Sequence, residues 1–336
     1  MTRTALVTGS AGFIGYFTAK ALLDQGWRVV GLDAMTDYYD VRLKDRRHAM
    51  LHQNAGFSAV NARLETPGVL QDLFETHQFD AVVHLAAQAG VRYSIDAPRS
   101  YVEANLMGTF ELLEAARAVP PAHMLLASTS SVYGANTQMP YTEADKVDAQ
   151  MSFYAATKKA TENMAHSYAH LYDLPITMFR FFTVYGAWGR PDMAHFKFTK
   201  AILNNEPIEI YNHGKMQRDF TYIDDLVRGI TALIDAVPPM PGADPIQGDS
   251  LSAVAPHRVV NIGTGAPVAL MDFVESIETA IGQKATKIFK DMQPGDVPAT
   301  WADTTLLKTL TGDAPTTPIQ TGIQTFVDWY RDYYQV

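Results

Sequence analysis

Short apolar runs alternate along the chain with longer stretches in which apolar positions recur every three or four residues. Ala5-Leu6-Val7-Thr8 reads as a strand. Gly12 to Gln25 carries Phe13, Ile14, Phe17, Ala21 and Leu22 on helical spacing, and Gly26 closes that helix. Further strands are expected over 27–33, 80–86, 123–129 and 175–181, with helices over 101–118 and 152–171. Near-continuous apolar strands separated by helices predict a parallel sheet covered on both faces. The fold class is therefore α/β, with a doubly wound sheet. After residue 185 the alternation loosens, and 237–256 is rich in Pro, Gly, Asp and Ser, as in a surface excursion. The expected division is 1–185 as one domain and 186–336 as a mainly separate, smaller α/β lobe, with some segments returning to the first.

The first strand runs into Gly9, Gly12 and Gly15, a G-x-x-G-x-x-G loop that opens a helix. Glycines let the chain turn tightly and let backbone N–H groups approach a pyrophosphate, which the helix N-terminus also favours. About twenty residues further on, Asp33 ends the second strand, where a carboxylate can accept from a ribose diol and repel a 2′-phosphate. This is the Rossmann-type pattern, and it predicts NAD as the cofactor, with 1–185 as its domain.

Two more features converge on chemistry. The strand over 123–129 ends in Ser128-Thr129-Ser130-Ser131, and Tyr154 and Lys158 stand four residues apart on one face of an expected helix. An ammonium near a phenol favours phenolate, so Lys158 is expected to lower the pKa of Tyr154 toward working pH. Hydroxyls at a strand's carboxyl end can meet that phenol where ligands of such sheets bind.

Composition narrows the alternatives. The net charge of −9 argues against a general nucleic-acid or anionic-membrane binder. The absence of cysteine excludes disulfides, thiol catalysis and thiolate zinc sites. No apolar run approaches the ~20 residues of a membrane helix. Met1-Thr2-Arg3-Thr4 leads directly into a strand with no apolar signal core, so a cytoplasmic address is expected. His48 and His52, and Glu162, His166 and His170, have i, i+4 spacing. They are read as solvated helix faces or subunit contacts, with no metal site expected. Phe326, Trp329, Tyr330, Tyr333 and Tyr334 are read as helical core packing.

These residues resemble the extended short-chain dehydrogenase/reductases, in the branch of nucleotide-sugar epimerases and dehydratases. Gly9 to Gly15, Asp33, His84-Leu85-Ala86-Ala87-Gln88, Asn105, Thr129, Tyr154, Lys158 and Asn261-Ile-Gly-Thr264 fall where that family has its motifs, over nearly the whole chain. The resemblance implies Thr129, Tyr154 and Lys158 as the catalytic set. It implies Gly9, Gly12, Phe13, Ile14, Gly15, Asp33, Leu85, Ala86, Ala87, Asn105, Tyr154 and Lys158 as contacts to NAD. The family's 4,6-dehydratases have an Asp-Glu pair after the catalytic Thr, and the UDP-glucuronate decarboxylases a Ser-Glu. Here the pair is Ser130-Ser131, with no carboxylate, as in the 4-epimerases.

Gln88 to Ser94, Arg180 to Tyr185 and Gly189 to Met193 are most similar to the UDP-glucuronate 4-epimerases. That implies reversible conversion of UDP-glucuronate to UDP-galacturonate through a 4-keto intermediate. The UDP-glucose/UDP-galactose epimerases, the decarboxylases and a non-catalytic dinucleotide sensor are the alternatives. The implied substrate residues are Gln88, Arg92, Ser130, Ser131, Thr183, Arg190, Arg218 and Asp296. Thr183, Thr129 and Ser130 would hold the carboxylate, Arg190 and Arg218 the diphosphate, and Asp296 the uridine ribose. One departure is Arg63-Leu64, where the family usually has an Asp that reads the adenine amine. By resemblance the chain forms a homodimer through the helix carrying Tyr154.

Overall fold

The computed structural model describes residues 2–244, 246–293 and 295–336. Met1, Pro245 and Pro294 lie outside the described residues. The strands are β1 (Thr4–Thr8), β2 (Arg28–Asp33), β3 (Phe57–Asn61), β4 (Ala81–His84), β5 (His123–Ala127), β6 (Ile176–Phe181), β7 (Thr183–Tyr185), β8 (Ile208–Ile210), β9 (Gln217–Tyr222), β10 (His257–Ile262), β11 (Pro267–Ala269), β12 (Lys287–Phe289) and β13 (Ala299–Thr300). The helices are α1 (Phe13–Asp24), α2 (Val41–Leu51), α3 (Val69–His77), the single turns α4 (Tyr93–Asp96) and α5 (Pro98–Tyr101), α6 (Gly108–Ala118), α7 (Phe153–Tyr172), α8 (Ala194–Leu203), α9 (Ile223–Ile234), α10 (Leu270–Ile281), α11 (Thr305–Thr311) and α12 (Ile319–Tyr334).

Seven parallel strands form the main sheet in the order β3-β2-β1-β4-β5-β6-β10. Both faces are covered, which explains the continuous apolar runs. Leu22, Leu226, Ile230 and Leu233 of α1 and α9 meet Val7, Val83 and Leu125 on one face. Phe74, Leu112, Leu113 and Ala165 of α3, α6 and α7 meet Leu6, Val82 and Met124 on the other. The order reverses between β1 and β4, and there the carboxyl ends of the strands leave a crevice.

Three segments of the second half return to this sheet: β10 pairs with β6, α9 packs on α1, and Leu306 and Leu307 of α11 join the same core. The remaining core joins α8, α10 and α12, with Phe196, Phe273, Phe326 and Tyr330 buried among aliphatic side chains. Phe326 and Tyr330 are core, while Trp329, Tyr333 and Tyr334 pack half-buried against it. Beside it lie β9, flanked by β11, β13 and β7, and the pair β8–β12. Asp219 of β9 is fully buried and ties this lobe together. It accepts from the N–H and hydroxyl of Thr264 (2.8 and 2.7 Å), from Gly265 N–H (2.9 Å) and from Ala302 N–H (3.2 Å).

Two expected elements differ. The strand over 123–129 stops at Ala127, because the Thr129 hydroxyl instead caps a 3-10 turn over Ser130–Tyr133, accepting from Ser131 N–H at 3.2 Å. The helix over 101–118 is interrupted by a π-type segment at Val102–Met107, which places Asn105 inside the fold.

Burial also sets the acid limit of the fold. His84, His195 and His257 are pushed down to about 3, and His123 to about 4, chiefly by desolvation. The unfolded chain binds these protons below about pH 6.5, and the folded chain does not. Each histidine should therefore remove about 1.4 kcal/mol of stability per pH unit below about 6.5. Denaturant unfolding measured against pH should show a steep loss over that window; a flat profile between about pH 6.5 and pH 4 would contradict this account.

Candidate active site

The crevice at the strand ends opens into a cavity of about 320 Å³. Gly9, Gly12, Phe13, Ile14, Gly15, Asp33, Leu85, Ala86, Ala87, Gln88, Thr129, Tyr154, Lys158 and Arg190 all line it. The glycine loop makes a close cradle. A Cβ on Gly15 would sit 2.0 Å from Gly9 O, and one on Gly9 would sit 2.9 Å from Ala86 N. Gly9 has φ +72°, which glycine adopts without strain. Asp33 is held by N–H groups of Ala11 (3.0 Å) and Met35 (2.8 Å). The Lys44 ammonium lies 3.9 Å from it.

A second set of bonds fixes the crevice floor. Thr8 Oγ1 accepts from both Leu85 N–H and Ala86 N–H at 3.1 Å. Its own proton is then directed at His84 Nδ1, 2.8 Å away. His84 consequently carries its proton on Nε2, facing Thr109 Oγ1 at 3.3 Å. Asn105 is 1% exposed and its amide is committed: Oδ1 accepts from Gln88 N–H (2.8 Å), and Nδ2 donates to Gln88 O (3.1 Å) and Thr157 Oγ1 (3.0 Å). Asn105 thereby clamps the β4 end to α7.

α7 starts at Ser152, whose hydroxyl accepts from Ala155 N–H at 3.1 Å. Tyr154 and Lys158 follow on its cavity face. Burial pushes the Tyr154 phenol up, and the Thr129 hydroxyl and the positive charge of Arg190 oppose that shift. Arg190 is therefore a cation that favours the phenolate. Lys158 is itself pushed down to about 8 by desolvation, with the Glu162 carboxylate resisting.

Glu162, one turn behind Lys158, is 3% exposed. It accepts from Ser128 Oγ (2.6 Å), from Arg180 Nε and Nη2 (both 2.9 Å) and from Lys159 (3.3 Å). The reading of this residue as a solvated face is therefore corrected. Of its neighbours, His166 bonds Ser252 Oγ at 2.8 Å and His170 bonds Val254 O at 2.7 Å. His48 bonds Ser10 Oγ at 3.0 Å. Among the described residues, no three His, Asp or Glu side chains converge to hold a metal ion.

The expected substrate residues divide. Gln88 and Arg190 line the cavity, and Arg190 forms a two-pronged pair with Asp192 at 3.0 and 2.6 Å. Arg92 instead pairs with Asp296 at 3.2 Å. Arg218 donates to the carbonyls of Gln217 (2.8 Å), Val297 (2.7 Å) and Pro298 (3.2 Å). Ser131 Oγ accepts from Thr129 Oγ1 at 3.3 Å. Thr183 begins β7, directly after the cavity-lining Phe181 and Phe182. Tyr38, Tyr39, Thr36 and Lys44 also line the cavity and carried no recognised motif. At the place of the missing Asp, Arg63 donates to Glu65 at 2.5 Å, and both line the cavity.

Residues 5–244 match the model of the NAD dependent epimerase/dehydratase family. A probable UDP-glucuronate 4-epimerase of Rhizobium meliloti (strain 1021) is 55% identical over 98% of this chain and 97% of its own length. The chain belongs to the NAD-dependent epimerase/dehydratase family. Among solved members, UDP-glucuronic acid 4-epimerase from Bacillus cereus, in complex with UDP-glucuronic acid and NAD, superposes with a TM-score of 0.88 at 33% identity, over 98% of this chain and 100% of that one. UDP-glucose 4-epimerase from Thermotoga maritima, with UDP-glucose, superposes with 0.85 at 26% identity, over 98% and 99%. The family fold thus serves both sugars, and the choice between them rests on side chains.

Glu162 gives the site a test. Glu162→Gln keeps the shape but removes the charge that raises Lys158. Charges facing Glu162 are Arg180 from β6 and Lys159 from α7, with His257 of β10 nearby, while Lys158 also faces neutral His84. The alkaline limb of the kcat–pH profile should move to lower pH. Stability should fall by about 3 kcal/mol, because Arg180 is left as a buried unpaired charge. An unmoved limb would show that Glu162 does not act on Lys158.

Proposed function

We propose that this enzyme interconverts UDP-glucuronate and UDP-galacturonate by NAD-dependent 4-epimerisation. The observation that carries this reading is the hydroxyl-only strand end, Thr129-Ser130-Ser131, beside Tyr154 and Lys158. It offers donors but no carboxylate acid or base for dehydration. The glycine cradle and Asp33 fit a dinucleotide with a free ribose diol. NAD, when bound there, would accept and return the hydride at sugar C4.

In the proposed cycle Tyr154 removes the proton from the 4-hydroxyl, and Thr129 shares that hydrogen bond. Arg190 favours the phenolate, and Lys158 holds the nicotinamide ribose. Turning the 4-keto sugar about its diphosphate linkage presents the opposite face. Tyr154 then returns the proton. The 4-keto-6-carboxylate is a β-keto acid, which loses carbon dioxide when its C5–C6 bond aligns with the ketone π system. Thr183, Thr129 and Ser130 are assigned to holding the carboxylate out of that alignment by charge-assisted hydrogen bonds. Arg92, Arg218 and Asp296 are assigned to the uridine diphosphate end, after their present contacts rearrange.

The division near residue 185 into a dinucleotide domain and a substrate lobe supports this assignment of ends. A cytoplasmic location, where NAD and UDP-sugars are available, is part of this proposal. Exposed Val102 and Met107 in the π-type segment, Phe110 on α6, and Phe153 and Leu171 on α7 favour a homodimer formed through these helices.

Proton NMR of the protein with NAD and UDP-glucuronate should reveal the anomeric signal of UDP-galacturonate, rising to an equilibrium mixture. UDP-xylose or a 4-keto pentose would mean decarboxylation, and conversion of UDP-glucose alone would mean a neutral-sugar epimerase. Tyr154→Phe should lower kcat about 10²–10⁴-fold. Thr183→Val should raise KM or release carbon dioxide.

A further inference from the structure

Arg47 of α2 is fully buried, yet no carboxylate among the described residues pairs with it. Its guanidinium is spent on two distant segments. Nη1 donates to Ala11 O of the glycine loop at 2.9 Å and to the Tyr39 hydroxyl at 2.8 Å. Nη2 donates to Trp188 O at 2.6 Å and Gly189 O at 3.1 Å. Residue 190 follows at once, and Arg190 faces the cavity.

The turn held in this way is a strained one. Trp188 has φ +58° and Gly186 φ +148°, and a Cβ on Gly189 would sit 2.9 Å from both Gly186 O and His195 Nε2. A bulky residue adopts a left-handed backbone only where its surroundings impose it. The Trp188 ring is gripped from outside by Tyr16, Trp329 and Tyr333, with centroids 6.5, 5.2 and 5.1 Å away. Arg47 grips its backbone from inside. A planar fork can bridge two segments in fixed geometry, and a single ammonium cannot.

A buried cation with only neutral acceptors is costly unless a counter-charge arrives. Its Nη1 lies directly behind the loop that would carry a dinucleotide diphosphate. We propose that Arg47 is a positioning residue that couples occupancy of the glycine loop to the geometry of the Arg190 turn, so that dinucleotide binding prepares the UDP-sugar side. This rests on the dinucleotide reading given above.

The test is calorimetric titration of UDP into NAD-loaded and NAD-free protein. Wild type should bind UDP at least about fivefold more tightly when NAD is present. In Arg47→Lys that ratio should fall below about twofold, and the affinity for NAD should fall about tenfold or more. A variant that only loses thermal stability, with the UDP ratio kept, overturns the proposal, as does a wild-type ratio of one. Should Arg47→Lys not fold, hydrogen exchange on wild type with ADP replaces it. Protection of both the 9–15 loop and the 186–190 turn is expected, and protection of the loop alone overturns the coupling. Failure of wild type to bind NAD at all would instead overturn the dinucleotide reading itself.

Discussion

The geometry of the site depends on one buried carboxylate. Glu162 accepts from Ser128, which precedes Thr129, and lies one helical turn beyond Lys158 on α7, the helix that carries Tyr154 in its first turn. Arg180 of β6 closes the clamp with two bonds of 2.9 Å. Three chain segments, remote in sequence, are thereby fixed to one another. The pair is 3% exposed on each side, so its Coulomb attraction is only weakly screened and the loss of either partner would leave a buried charge. The network continues outward. Arg180 stacks 4.8 Å from the Tyr133 ring, Tyr133 donates to Asn261 Oδ1 at 2.7 Å, and Asn261 donates to Tyr141 O at 2.9 Å. The catalytic candidates therefore stand on a polar frame at the strand-end edge of an apolar sheet.

The same burial that makes the frame rigid decides the electrostatics. Lys158 and Tyr154 are both desolvated, and each is moved away from its charged form. Lys158 at about 8 remains mostly protonated at neutral pH. The Thr129 hydroxyl and Arg190 favour the Tyr154 phenolate against that desolvation. Arg190 thereby links the phenol to the substrate side, since its position is set by Asp192 and by the Trp188–Gly189 turn that Arg47 holds.

Local features of the site were legible in the sequence. The glycine loop, Asp33 and the Tyr154/Lys158 spacing depend on neighbours within a few residues or on one strand–helix unit. The parallel order followed from apolar runs that only a doubly covered sheet explains. Partners across the chain were not legible. Glu162 was grouped with His166 and His170 by helical spacing, because nothing near it in sequence announces Ser128 or Arg180. Arg47 and Lys44 sit in a polar-looking helix, yet both are buried. Asn105 was recognised by its family position, but its amide faces Gln88 and Thr157. Arg92, Arg218 and Asp296 were placed at a ligand, and their present partners are one another and backbone carbonyls.

The central claim is that the hydrogen at C4 leaves and returns within one closed site while Tyr154 moves only the hydroxyl proton. Incubation of the enzyme with UDP-glucuronate deuterated at C4, followed by mass spectrometry and NMR of both epimers, tests it directly. The account predicts deuterium retained at C4 of the UDP-galacturonate formed, with none washed into solvent. Loss of the label to water, or product with deuterium at C5, would contradict it.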